Sequence, residues 1–187
     1  MALNPRIEGW NARRVWVIGA STGIGRATAQ VLLRRGARVA VSARSAQGLQ
    51  SIDGALVLPL DVTDAAAVHD AMQRLMHDWG GLDLLLYCAG TYRPMRATAF
   101  NLASALQHDD VNYRGALHAL AAVLPVLTAQ RAGHIALVSS VAGLGGLPQA
   151  LAYGPTKAAL INLAETLYID LHDAGIGEHV INPGYVE

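Results

Sequence analysis

Short runs of consecutive apolar residues alternate along the chain with longer stretches whose apolar positions recur every three or four residues. The runs are VWVIG (15–19), ARVAVS (37–42), ALVLPL (55–60), LDLLLYC (82–88), HIALVS (134–139) and HVIN (179–182). They are continuously apolar rather than alternating, the pattern of parallel strands covered on both faces. Between them the periodicity predicts helices. One spans 23–35 and is closed by Gly36. A second spans 64–79, with Val68, Met72, Leu75 and Trp79 on one stripe. A third covers 103–131. A fourth covers 150–174, with Leu160, Leu163, Ala164, Leu167 and Leu171 on one face.

Strand, helix, strand, repeated, predicts right-handed crossovers and an α/β fold of the Rossmann type, a doubly wound parallel sheet with helices on both faces. No repeat or linker divides the 187 residues, so the chain reads as a single domain, 1–187. Ligands of such sheets bind beyond the carboxyl ends of the strands, so the chemistry is expected directly after them.

Composition narrows the function without naming it. Hydrophobic residues make up 52% and charged residues 15%, which excludes a disordered chain. Lys+Arg and Asp+Glu balance at 14 each, so no basic surface points to nucleic acid. Cys88 is the only cysteine, so no internal disulfide can form. The opening MALNPRIEGWNARR lacks the apolar core of a signal peptide. The longest apolar stretch, 115–129, carries His118 and Pro125 and is short of the roughly 20 residues a membrane span needs. The expectation is a cytoplasmic protein with no transmembrane segment.

The first strand runs into GASTGIG, which places Gly19, Gly23 and Gly25 at the start of a helix. Glycines there let backbone N–H groups and the helix N-terminus approach a pyrophosphate. Ser21, Thr22 and Ile24 belong to the same cradle. The second strand ends AVSARS. A carboxylate here would accept hydrogen bonds from the adenosine ribose, but Ala43 holds that place and Arg44 follows, with Ser42 and Ser45 nearby. A guanidinium suits a 2′-phosphate, so NADP(H) is expected over NAD(H).

Tyr153 and Lys157 stand four residues apart, on one face of the last helix. A phenol titrates near pH ~10, and a neighbouring ammonium lowers that value toward neutrality. Lys157 is the only lysine; the other thirteen side-chain cations are arginine. That points to a local need for a compact charge on a flexible stem.

These segments resemble the short-chain dehydrogenase/reductase family, from about Val15 to the last residue. The likeness lies in G-x-x-x-G-x-G, in YCAG (87–90) against the family's N-N-A-G, in HIALVSSVAG followed by YGPTK, and in INPGYVE. Ile18 stands where threonine is common, and Tyr87 and Cys88 replace both asparagines. The resemblance implies a tetrad of Asn112, Ser140, Tyr153 and Lys157. Ser140 is chosen over Ser139 because it lies thirteen residues before Tyr153. The implied roles are Tyr153 as proton donor or acceptor, Ser140 on the carbonyl oxygen, Lys157 on tyrosine and ribose, and Asn112 placing a relay water. The resemblance also implies cofactor contacts from Asp61, Val62, Ala89, Gly90, Pro183 and Gly184. Asp61 otherwise reads as a helix cap, a part that Thr63 or Asp64 fills equally well. Cys88 reads as a small buried filler.

The implied activity is hydride transfer between NADP(H) and a carbonyl/alcohol substrate. The alternative is a cofactor-binding protein without turnover. An interaction subunit using the helices of 103–131 and 150–174 is a third reading. The family's dimer core lies in those two helices, so a homodimer or homotetramer is expected. Family members are longer than this chain, so the seventh strand, the substrate lid and the pair contacting the carboxamide are expected to be missing. The apolar, glycine-rich segment 141–151 suggests a largely apolar substrate.

Overall fold

A computed structural model describes residues 4–185. Val186 and Glu187, the end of the INPGYVE segment, lie outside the described residues. Six parallel strands form one sheet in the order β3-β2-β1-β4-β5-β6. They are β1 (Arg14–Ile18), β2 (Arg38–Ser42), β3 (Leu56–Val57), β4 (Leu84–Tyr87), β5 (Gly133–Val138) and β6 (Ile176–Ile181). The helices are α1 (Gly23–Arg34), α2 (Ala46–Gln50), α3 (Ala65–Trp79), α4 (Leu102–His108), α5 (Gly115–Gln130) and α6 (Tyr153–Leu171).

The period-2 geometry of the strands divides the core. Trp16, Ile18, Leu85, Tyr87, Ile135 and Leu137 face α3, α5 and α6. Val15, Val17, Val39, Val41, Leu84 and Leu86 face α1 and α2. The stripe on α3 is as expected: Val68, Met72 and Leu75 are fully buried. Trp79, at its end, is half-buried under the Arg38 guanidinium, 5.0 Å from its ring. Asp64 caps α3 by accepting from the N–H groups of Ala66 and Ala67, and Gly80 ends it in the left-handed region.

Four departures from the predicted elements have local causes. The helix expected over 103–131 is interrupted by a π turn, Asp109–Arg114. Within it the Val111 carbonyl accepts a 2.6 Å hydrogen bond from the Tyr87 hydroxyl. The strand β3 shrinks to two residues because Pro59 brings no N–H, although Leu58 still donates to the Val41 carbonyl of β2 and Leu60 to the Ala43 carbonyl just past it. A short helix, α2, was not predicted; Ser45 caps it. The last strand starts at Ile176, three residues before the predicted HVIN run, because Gly177 and Glu178 interrupt the apolar pattern that marks the others.

Glu178 is 5% exposed, and among the described residues neither carboxylate oxygen has a hydrogen-bond partner. Its backbone is paired by a side chain: Asn4 donates to the Glu178 carbonyl and accepts from its N–H, as a neighbouring strand would. Burial pushes the Glu178 carboxyl up to about 9 from 4.5. The native state therefore keeps a proton that the unfolded chain releases near 4.5, and stability falls as pH rises between those two values. Glu178→Gln should flatten this slope in urea unfolding measured from pH 5 to 9. Glu178→Val should raise stability at pH 7 by about 1–3 kcal/mol.

Candidate active site

The carboxyl ends of the strands open into a cleft of about 980 Å³. It sits where β1 and β4, neighbours in the sheet, send the chain to helices on opposite faces. Its floor is the glycine turn. Gly19 has φ +91°, and a Cβ there would strike the Ala89 backbone; a Cβ on Gly25 would strike the Gly19 carbonyl. The N–H groups of Gly19 and Ala20 both donate to the Ser42 carbonyl, at 2.7 and 3.1 Å. Ser21, Thr22, Gly23 and Ile24 line the cleft at the start of α1, where Thr22 makes no side-chain cap. The first-turn N–H groups are thus left to an anion. Gly25 is buried behind them and serves the packing rather than the lining.

One flank carries Arg44, Asp61 and Val62. Arg44 is exposed, and among the described residues it makes no ion pair. The two serines named with it are engaged elsewhere. Ser42 is fully buried and accepts from the Trp16 indole at 2.9 Å, while Ser45 caps α2. Asp61 accepts from the N–H and hydroxyl of Thr63, and Asp64 does the capping.

The other flank carries Ala89, Gly90, Ser140, Tyr153, Lys157, Pro183 and Gly184. The Ser139 hydroxyl donates to the Lys157 carbonyl at 2.7 Å, which leaves Ser140 as the serine that acts on Tyr153. Lys157 is 4% exposed, and among the described residues it has no carboxylate partner. Its ammonium donates to the Val138 carbonyl at 2.9 Å and lies 5.6 Å from the centre of the Tyr153 ring. The expected lowering of the phenol by this ammonium is not found. Burial pushes Tyr153 above its ordinary value; the Ser140 hydroxyl opposes this, and Tyr92 and Cys88 add to it. Burial acts on the amine as well, pulling Lys157 down to about 8. It also pushes the Cys88 thiol up, in keeping with a filler.

Comparison with known proteins agrees with this layout. Residues 13–187 match the model of the short chain dehydrogenases. The chain belongs to that family. An uncharacterized oxidoreductase of Myxococcus xanthus is 37% identical over 183 residues, covering 94% of this chain and 72% of the relative. A crystal structure of ribose-5-phosphate isomerase from Brucella melitensis has a TM-score of 0.91 at 31% identity, over 95% of this chain and 70% of its own. An NAD+-bound xylitol dehydrogenase has a TM-score of 0.88, also at 31% identity, over 94% and 71%. The family is one of oxidoreductases, and its fold binds nicotinamide cofactors. No described helix is long and apolar enough to cross a membrane.

In this short-chain dehydrogenase Asn112 does not line the cleft. It is fully buried in the π turn, and its amide is engaged on both sides. Its oxygen accepts from Thr91 N–H at 2.7 Å, and its nitrogen donates to the Thr91 carbonyl and the Thr156 hydroxyl. It ties the loop after β4 to α6. That loop brings residues the sequence reading missed. Tyr92, Arg93 and Gln107 also line the cleft, and the Tyr92 ring meets Tyr153 edge-on at 5.0 Å. For Tyr92 and Arg93 the only signal in the sequence is a position just past a strand end, while Gln107 comes from α4. The exposed leucines of 141–151, expected to shape the pocket, do not line it.

Because Lys157 is the only lysine, nitrogen-15 lysine labelling should give a single side-chain amine resonance. In the cofactor-free protein its titration midpoint should lie near 8 rather than 10.5. A midpoint at the ordinary value would show that the amine is not desolvated.

Proposed function

We propose that this short-chain dehydrogenase moves hydride reversibly between NADP(H) and a carbonyl/alcohol pair. One observation carries the reading above the others. Ser140, Tyr153 and Lys157 line the same cleft as the glycine turn and Arg44.

The glycine cradle fits the cofactor, since a Cβ at Gly19 or Gly25 would close the turn. Gly19, Ser21, Thr22, Gly23 and Ile24 would take the pyrophosphate, and Arg44 the 2′-phosphate. Asp61 and Val62 would border the adenine, Ala89 and Gly90 leave room for the ribose, and Pro183 and Gly184 flank the nicotinamide. Bound NADP(H) supplies or accepts the hydride. In the reducing direction Tyr153 gives its proton to the carbonyl oxygen, and Ser140 donates a hydrogen bond that stabilises the negative charge developing there. Lys157 has one donor engaged on Val138 and further donors for ribose and phenolate. Its charge is most useful once Tyr153 has lost its proton. Burial holds the free phenol protonated, which poises the site as a proton donor.

The bound nicotinamide of a relative does not decide the cofactor for this chain. The preference for NADP(H) rests on Arg44 and on the absence of a carboxylate at Ala43. Self-association belongs to the same reading. Leu102, Leu106 and Leu117 on α4 and α5, and Ile169 on α6, are exposed apolar side chains that a homodimer or homotetramer through these helices would cover. Light scattering should show a species larger than one chain.

Tyr153→Phe should keep NADPH affinity within about twofold while lowering kcat by about 100- to 10,000-fold, in NADPH oxidation with ketones and aldehydes. Unchanged turnover would remove Tyr153 from the mechanism. Wild type should bind NADPH more tightly than NADH, and Arg44→Ala should erase the difference; equal affinities in wild type would remove the NADP(H) assignment.

A further inference from the structure

The cleft is lined by more than the residues assigned to the cofactor and to proton transfer. Tyr92, Arg93 and Gln107 line it too, and Tyr92 packs against Tyr153. These groups are an aromatic ring, a guanidinium and an amide, not the apolar surface that segment 141–151 suggested. Among the described residues, four charged ones line the cleft: Arg44, Asp61, Arg93 and Lys157, with Asp61 the one acid. Arg44 and Asp61 are assigned to the adenosine. Arg93 directly follows Tyr92, whose ring meets the Tyr153 ring edge-on at 5.0 Å. Among the described residues its guanidinium has no salt bridge or hydrogen bond, whereas Arg14, Arg74 and Arg114 each pair with an aspartate.

The backbone that presents Arg93 is held at alternate positions. Asn112 takes both the N–H and the carbonyl of Thr91. His108, fully buried, accepts the Arg93 N–H on Nε2 at 2.9 Å. Its Nδ1 lies 2.6 Å from the Ser104 carbonyl, which can only accept, so the proton is on Nδ1 and the imidazole is neutral. Two residues on, Met95 N–H donates to the Gln149 carbonyl. A loop clamped in this way loses little further backbone entropy when its side chain takes a ligand. Two buried polar side chains thus fix the backbone that presents one unpaired guanidinium at the wall.

We propose that Arg93, with Gln107 beside it, is the substrate-recognition pole of this cleft, and that the carbonyl or alcohol substrate carries an anionic oxygen group, a carboxylate or a phosphate. The planar fork of the guanidinium gives two parallel donors to either group. His108 is a positioning residue that acts through the Arg93 backbone. The proposal rests on the reductase reading for the word substrate, but the charge preference can be read in binding as well as in turnover.

The test uses matched pairs: acetoacetate against methyl acetoacetate, and dihydroxyacetone phosphate against dihydroxyacetone. For each pair, kcat/KM with NADPH and the dissociation constant for the protein–NADPH complex are measured in wild type and Arg93→Met. Wild type should prefer the anionic member of at least one pair by about 10- to 100-fold. In Arg93→Met that ratio should fall to within about threefold of unity, a collapse that misfolding alone does not produce because both members share one protein. The pair that shows the preference tells carboxylate from phosphate. A ratio near unity in wild type, or one that survives Arg93→Met, overturns the proposal while leaving the hydride-transfer reading intact. Absent turnover with an Arg93-dependent binding preference does the reverse.

Discussion

Where Gly19 passes Ala89, two backbones run closer than any side chain allows. That contact exists because β1 and β4 are neighbours whose chains leave the sheet toward opposite faces. The divergence opens the crevice, and the contact sets its floor. The other features of the site are placed relative to it. The start of α1 aims its unpaired N–H groups at the crevice, α6 brings Tyr153 and Lys157 to the wall, and Gly90 lies directly under both Lys157 and Asn112. At the opposite end of the same two strands, Arg14 grips Asp83 through two side-chain hydrogen bonds and one from its N–H. The strands are pinned at one end, stay paired to the other, and only beyond it do their chains diverge.

The flank that carries Tyr153 and Lys157 shows how burial, not proximity alone, sets protonation. An ammonium beside a phenol is expected to make the phenol acidic. Here both groups are desolvated, and Lys157 directs its charge to a backbone carbonyl, so phenol and amine each move toward their neutral forms. The two groups are tuned as a pair by one cause, and the hydroxyl of Ser140 opposes it at the phenol by favouring the phenolate.

Much of this was legible in the sequence, for physical reasons. Strands buried on both faces betray themselves as unbroken apolar runs, so β1, β2, β4 and β5 were read nearly to the residue. The glycines were legible because a close backbone approach admits nothing else. The last strand was read short because Gly177-Glu178 carries no apolar signal. The π turn was hidden because DDVNYR is compatible with an ordinary helix; what forces it open is a tyrosine hydroxyl arriving from β4, a long-range partner that periodicity cannot reveal. Ser42, read only as a neighbour of Arg44, turns inward, its direction fixed by Trp16 on the adjacent strand. Arg93 carried no signal, because its setting depends on His108, fifteen residues away.

The arginine-for-lysine economy of this chain has a further consequence. Thirteen side-chain cations are guanidinium groups, and the one amine lies 4% exposed on the wall of the cleft. Apart from a chain terminus, the outer surface therefore offers no primary amine to acylating metabolites, cross-linkers or conjugating enzymes. Any such reagent that marks a side chain must first enter the crevice, where a resident dinucleotide would stand in its way. Acylation of this protein would thus work as an occupancy gauge, counting vacant molecules and sparing filled ones.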